Sequence, residues 1–268
     1  MVYLAGGFLL SLAISAVAYR VRSLSRSGVL GAILVGTITF GLGGWCWGLL
    51  LIAFFVLASL LSHYRGGQKE ALAEKFAKGH QRDLGQVLAN GGLGALLAIL
   101  HFLRPNDFLF VAFLGSMAAV SADTWATELG VLSPTPPRLI TTGKVVPVGT
   151  SGGVTLWGIT ASIAGALTMG GVAWLLLPLR NAATLVSILL LASTSGLLGS
   201  LFDSLLGATL QAIYLCPQCQ VETERAFHRC GCQTTHIHGW RWFNNDLVNF
   251  ASSLWGAIVA SLLHSFGC

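Results

Sequence analysis

Charge is what this sequence has least of. Only 9% of its 268 residues are Asp, Glu, Lys or Arg, while 54% are hydrophobic. A soluble domain carries roughly 25% charged residues, so the shortage excludes an ordinary soluble enzyme and points to a polytopic membrane protein. No basic segment precedes the first apolar run, and the nearest basic residues follow it, so that run reads as a retained helix rather than a secretory signal. Ser-rich linkers, charge blocks and low-complexity tracts are also missing, and residues 1–268 therefore read as a single membrane-embedded domain.

What is present is a series of apolar stretches at 2–19, 29–61, 84–103, 108–122, 154–179, 182–215 and 247–266. A crossing needs roughly 20 residues, so 29–61 holds either one long helix or two short ones broken near Gly41, Gly43 and Gly44. With the break, the loops 20–26, 63–83, 123–153 and 216–244 share one side and hold every Lys and Arg except Arg104 and Arg180, 13 of the 15. The positive-inside rule then favours an all-α bundle of eight spans over seven, with the motif-bearing loops cytoplasmic and both termini outside. This asymmetry also accounts for the net charge of +5 without a nucleic-acid partner. Trp45, Trp47, Trp240 and Trp242 suit the aromatic belt at the membrane interface.

Ionisable groups at membrane depth cost about 2.5 to 3.5 kcal/mol each even on the gentler insertion scale, which singles out Asp123 and Asp203. Asp123 and Thr127 lie one helical turn apart, whereas Asp123 and Glu128 are about 140° apart around a helix and do not clasp one ion. Asp203, beside Ser204, shares a stripe with Gly207 and Gln211, while Arg82, Gln86 and Asn90 form a second stripe. Asn245, Asn249 and Ser253 form a third, beside Asp246. The bland reading of the amides and hydroxyls is interhelical hydrogen bonding. Paired aspartates from two helices instead match magnesium, which takes one or two carboxylates plus substrate phosphates. Arg138, Lys144 and the Gly149-Thr150-Ser151-Gly152-Gly153 loop before a helix at Val154 suit phosphate binding, although the loop is not a Walker A sequence. Its bland alternative is a capped re-entry turn.

Five segments in order, QVLANGG at 86–92, ADTWATELG at 122–130, RLITTGKVVPVGTSGGV at 138–154, GSLFDSLLGA at 199–208 and NNDLVNF at 244–250, resemble the DUF92 membrane family. That family includes the plant phytyl-phosphate kinase of tocopherol synthesis and the animal transmembrane protein 19. The resemblance implies phosphoryl transfer from a nucleoside triphosphate, CTP or ATP, to an isoprenoid monophosphate drawn from the bilayer. On this reading Asp123 and Asp203 hold Mg2+, and Lys144 and Glu128 join them as catalytic candidates. Arg138, Thr127, Thr150, Ser151, Gly152, Gly153 and Ser204 contact the donor or metal, while Arg82, Gln86, Asn90, Asn245, Asp246 and Asn249 complete the substrate site. A CTP-dependent lipid-phosphate nucleotidyltransferase and a lipid or small-molecule transporter remain the alternatives.

Residues 216–243 read as a cytoplasmic Cys/His-rich insertion. Cys216 and Cys219 have ordinary C-x2-C spacing, and His228, Cys230 and Cys232 follow, the ligand types of a small structural zinc site. The Cys230-Gly231-Cys232 spacing is tight, so one of those two thiols is expected to bind alongside His228.

Overall fold

Inside a bilayer every backbone N–H and C=O must be satisfied within the protein, and this chain meets that demand with helices. The computed structural model describes residues 2–64, 81–178 and 181–267. Arg65, Lys69, Lys75, Lys78 and Arg180 of the charge count lie outside them. Among the described residues, eight helices are long and apolar enough to cross a membrane. They are α1 (Val2–Arg20), α2 (Arg26–Gly43), α3 (Trp45–His63), α4 (Leu84–Leu103), α5 (Asp107–Gly130), α6 (Leu156–Leu176), α7 (Ala182–Thr209) and α8 (Asn245–Ser265).

The 29–61 stretch is two helices, and the break is a single residue. Gly44 sits at φ 89°, a left-handed conformation open to glycine at no steric cost, and its N–H closes the last turn of α2 on the Phe40 carbonyl at 3.0 Å. Trp47, expected in the aromatic belt, is instead 3% exposed and stacked on Phe113 with ring centroids 4.5 Å apart. The start of α3 packs on α5, and burial of the large ring outweighs its preference for the interface.

Three of the helix bounds that differ from the sequence reading bear on the site. The fifth span does not end at residue 122: α5 continues to Gly130 because Trp125 packs on Gly165 of α6 and Gly130 approaches Gly158. The last apolar stretch before the cysteines is one unbroken helix of 28 residues, α7. At 1.5 Å per residue it is about 42 Å long, against a hydrocarbon core of about 30 Å. Its glycines do not break it. Gly196 faces Ala118 and Ala166, and Gly199 faces Ala119, so both serve helix contact. Finally, α6 starts at Leu156 rather than Val154, with Thr155 as its cap accepting from the Gly158 N–H at 2.9 Å.

Helix α5 is the axis of the bundle, packed against α3, α4, α6, α7 and α8. Its residues 112–122 are all buried, and most are small: Ala112, Gly115, Ser116, Ala118, Ala119, Ser121 and Ala122. Gly115 lies against Gly256 and Ala260 of α8, and Gly256 lies against Ala119, so two backbones meet without intervening side chains.

The connections at one end are short: Gly44, residues 104–106 and residues 177–181. The other end carries the polar segments, and these join one another. The Ser25 N–H donates to the Arg82 carbonyl (3.0 Å) and the Arg82 N–H to the Ser23 carbonyl (2.9 Å). A two-stranded ladder, β1 (Arg138–Leu139) with β2 (Gly153–Val154), shapes the α5–α6 loop, and a three-stranded sheet ordered β4-β3-β5 (β3 Ile213–Leu215, β4 Glu222–Thr223, β5 Thr235–His238) shapes the α7–α8 loop.

The close α5–α8 contact predicts that Gly115→Ala costs about 1 to 3 kcal/mol, because its methyl would lie about 2.5 Å from the Gly256 carbonyl oxygen. Gly171→Ala in α6, where nothing lies within 4 Å, is expected to be neutral or to gain up to about 1 kcal/mol. Unfolding midpoints in detergent separate the two.

Candidate functional site

The Ala119–Gly199 contact brings the two aspartates together. Asp123 and Asp203 lie four residues beyond these contact points, one turn further along α5 and α7. The carboxylates lie near enough for their charges to interact. The Ser200 hydroxyl lies beside Asp123, and the Ser252 hydroxyl of α8 lies beside Asp203. The second oxygen of Asp203, Oδ2, is buried and has no hydrogen-bond partner among the described residues.

Glu128 leaves α5 on another side. Its Oε1 accepts from the Ser62 hydroxyl of α3 at 2.6 Å, and its charge acts on Arg82. The guanidinium donates from Nη1 to Ser59 Oγ (3.1 Å) and lies over the Phe55 ring at 5.7 Å. Burial lowers the Arg82 pKa, and the nearby Glu128 charge opposes that shift. Arg82, Gln86 and Asn90 line one cavity of about 80 Å³ whose other walls are Leu24 and the apolar faces of α1, α2, α3 and α4, including Val35 and Phe55. Gln86 also completes a capping box with Asp83 at the start of α4.

The Gly149–Gly153 loop seats on the end of α7. Gly152 adopts φ 76° and comes so close to Ala208 and the Ser204 carbonyl that any side chain there would clash. The Ser151 hydroxyl donates to Gln211 Oε1, and Gln211 Nε2 donates to Glu224 Oε1, both at 2.8 Å. The Thr150 and Gly153 N–H groups bond within the loop, to Pro147 and Thr150. Beside it lies a second cavity of about 230 Å³, lined by Gly149, Thr150, Ser151, Glu222, Glu224 and His238.

The cations expected near the aspartates are elsewhere. Lys144 is exposed on the β1–β2 hairpin, and the exposed Arg138 donates to the Gly143 carbonyl at 2.9 Å. Neither contacts Asp123 or Asp203 among the described residues. Thr127 is exposed as well. Asn245, Asp246 and Asn249 are half-buried in the first turns of α8, whose cap is Asn244. Ser253, on their stripe, donates to the Phe250 carbonyl at 2.8 Å and Ser252 to the Asn249 carbonyl at 3.0 Å, and of the two it is Ser252 that lies beside Asp203.

In the α7–α8 loop, one ligand atom each from Cys216, Cys219, His228 and Cys230 lies within 4.8 Å of the others, a group able to hold a metal ion. Cys232 is outside the group, with Sγ against the Gln233 carbonyl at 3.6 Å. The Cys219 thiol is pushed up to about 12, chiefly by its hydrogen bond with Cys230.

Sequence reasoning missed Ser59, Ser62, Ser200 and Ser252. Serines are frequent in this chain, and only Ser200, three residues before Asp203 on the same helix, carried a local signal. Glu224 was missed too, being, like Glu222, an acid in a polar loop where a charge is ordinary.

The chain matches the model of the integral membrane protein family DUF92 over residues 9–257. It is 33% identical over 265 residues to Protein PGR of Arabidopsis thaliana, covering 91% of this chain and 90% of that protein. It is also 33% identical over 243 residues to an uncharacterized membrane protein of Methanocaldococcus jannaschii, with 91% and 87% covered. Identity is 26% over 251 residues to the chloroplastic Protein VTE6 of Arabidopsis thaliana, with 92% and 67% covered. No solved structure matches the chain.

Ser62→Ala removes a hydrogen bond to a carboxylate and is expected to lower stability by about 1.5 to 3 kcal/mol. Combined with Glu128→Gln it costs less than the sum of the two, a coupling that a double-mutant cycle of unfolding in detergent measures.

Proposed function

Because this chain belongs to the integral membrane family DUF92, we propose that it is a membrane prenyl-phosphate kinase, similar to the phytyl-phosphate kinase within that family. It transfers a phosphoryl group from a nucleoside triphosphate, CTP or ATP, to an isoprenoid monophosphate. The observation that carries this reading is the acid pair. Two carboxylates held together in a bundle interior repel each other, and the orphaned Asp203 Oδ2 leaves an acceptor unused. Such a pair is matched to Mg2+, which takes one or two carboxylates and completes its shell with phosphate oxygens and water. When bound, the ion would neutralise charge on the phosphates.

The protein's own groups then act by position and charge. Arg82, with Gln86 and Asn90, binds the acceptor phosphate, and the apolar walls of the same partly open cavity meet the isoprenoid chain. Glu128 and Ser59 fix the guanidinium, so Glu128 is a positioning residue. Lys144 and Arg138, exposed on the hairpin, meet the donor from the aqueous side, which the positive-inside rule makes the cytoplasm. The Gly149–Gly153 loop borders the larger cavity, whose Glu222 and Glu224 disfavour a bare triphosphate and suit one carrying its cation. An acceptor phosphate oxygen attacks the γ-phosphorus, the bond to the bridging oxygen breaks, and the nucleoside diphosphate leaves.

The test is incubation of purified protein with Mg2+, a panel of nucleoside triphosphates, and prenyl alcohols and monophosphates, followed by product identification. A prenyl diphosphate and a nucleoside diphosphate are expected from the monophosphate, with little reaction of the alcohol. Asp123→Asn and Asp203→Asn should each reduce turnover by at least about a hundredfold and leave the protein folded, while Arg82→Ala should chiefly raise KM for the acceptor. Near-normal turnover in both aspartate variants overturns the metal assignment. Pyrophosphate release with a nucleotide-linked lipid would identify a nucleotidyltransferase instead, and lipid movement in vesicles without nucleotide turnover would identify a transporter.

A further inference from the structure

The α7–α8 loop has almost nothing apolar to hold it together. Across residues 216–240 only Cys216, Thr223 and His228 are buried, while Phe227, Ile237 and Trp240 are exposed. A segment of this length without a hydrophobic core needs a metal, a disulfide or a partner to stay folded. Disulfides are absent among the described residues, where all five cysteines are free. Two of the three buried side chains belong to the Cys216, Cys219, His228 and Cys230 group.

The spacing in that group fits one ion. A tetrahedral zinc site with Zn–S of about 2.3 Å separates its sulfurs by about 3.8 Å, and Cys216 Sγ and Cys230 Sγ are 3.7 Å apart. His228 Nδ1 lies 3.2 Å from Cys230 Sγ. The tight turn at Gly231 (φ 82°) is closed by the Gly231 N–H on the His228 carbonyl and by the His228 N–H on the Cys232 carbonyl. This turn brings Cys230, not Cys232, into the group.

The group also sits at the root of the contacts that seat the glycine loop. Cys216 follows β3 directly, β3 pairs with β4, and Glu224 follows β4. Glu224 accepts from Gln211, and Gln211 accepts from Ser151, so the 2%-exposed amide of Gln211 is engaged at both ends. On the other side of β3, strand β5 leads to Gly239, which abuts the Gln211 carbonyl. We propose that Cys216, Cys219, His228 and Cys230 bind one zinc ion that folds residues 216–240 and thereby, through Glu224 and Gln211, holds the Gly149–Gly153 loop against the end of α7. This stands whichever reaction the membrane site carries out.

The experiment uses the full-length protein in detergent, purified without added metal. Elemental analysis should give about one zinc per chain, as a single four-ligand site requires. Replacement by Co2+ should give thiolate-to-cobalt charge-transfer absorption. Cys216→Ser and Cys219→Ser should lose the metal, and Cys232→Ser should keep it. Hydrogen exchange of a peptide spanning 149–153 should quicken at least about tenfold when a chelator strips the ion, and should recover on reloading with Zn2+. Gln211→Leu should retain zinc yet show the same quickening, which separates the relay from general unfolding. If the cysteine variants fail to fold, stripping and reloading of the unsubstituted chain still decide the matter. Less than about a tenth of an equivalent of zinc, or full zinc retention in Cys216→Ser, would overturn the site. Unchanged exchange at 149–153 after stripping would overturn the link to the loop.

Discussion

Close approach of helix backbones along α5 is the constraint from which the rest of this structure follows. Lipid gives helices no hydrophobic reason to associate, so contact must come from packing and hydrogen bonds. The run of small residues from Ala112 to Ala122 lets α7 and α8 lie directly on α5. The register of those contacts then fixes the chemistry. With Ala119 on Gly199, the next turn of each helix carries an aspartate, and the Ser252 carbonyl approaches the same glycine from α8. The acid pair is therefore held by a seam in which helix backbones touch.

The same helix divides the molecule. Asp123 turns toward α7 and α8, whereas Glu128, five residues on, turns toward α3 and the guanidinium at the start of α4. Helices α1 to α4 enclose an apolar cavity with one cation at its polar end, and α5 to α8 enclose the carboxylates. The acids of α5 are thus divided between the two halves of the bundle, Glu128 beside Arg82 and Asp123 beside Asp203.

Much of this was legible in the sequence. Apolar length and the placement of Lys and Arg called for eight spans, and the glycines at 41–44 marked the break. Gln86 and Asn90, one turn apart on α4, do line one cavity with Arg82, but Arg82 precedes the helix and is placed there by its backbone bonds to Ser23 and Ser25. Illegible features were those decided by neighbouring helices. Hydropathy ended the fifth span at 122, since it cannot register that Trp125 and Gly130 have partners in α6. Spacing selected Ser253 over Ser252, because a stripe is defined on one helix and a contact on two. Lys144 and Arg138 seemed to belong with the aspartates, but the intervening ladder β1–β2 holds them out on a hairpin. In the cysteine loop, spacing left Cys230 and Cys232 open, and the turn at Gly231 separates them.

The single-residue connection at Gly44, together with the brief link at 104–106, leaves one end of the bundle with little chain between its helices among the described residues. On the proposed reading, recognition of a water-borne donor falls to the opposite end, and insertion geometry then becomes a determinant of activity in its own right. A copy threaded into the bilayer upside down would pack identically and pass every test of folding, yet would present its working face to the wrong compartment.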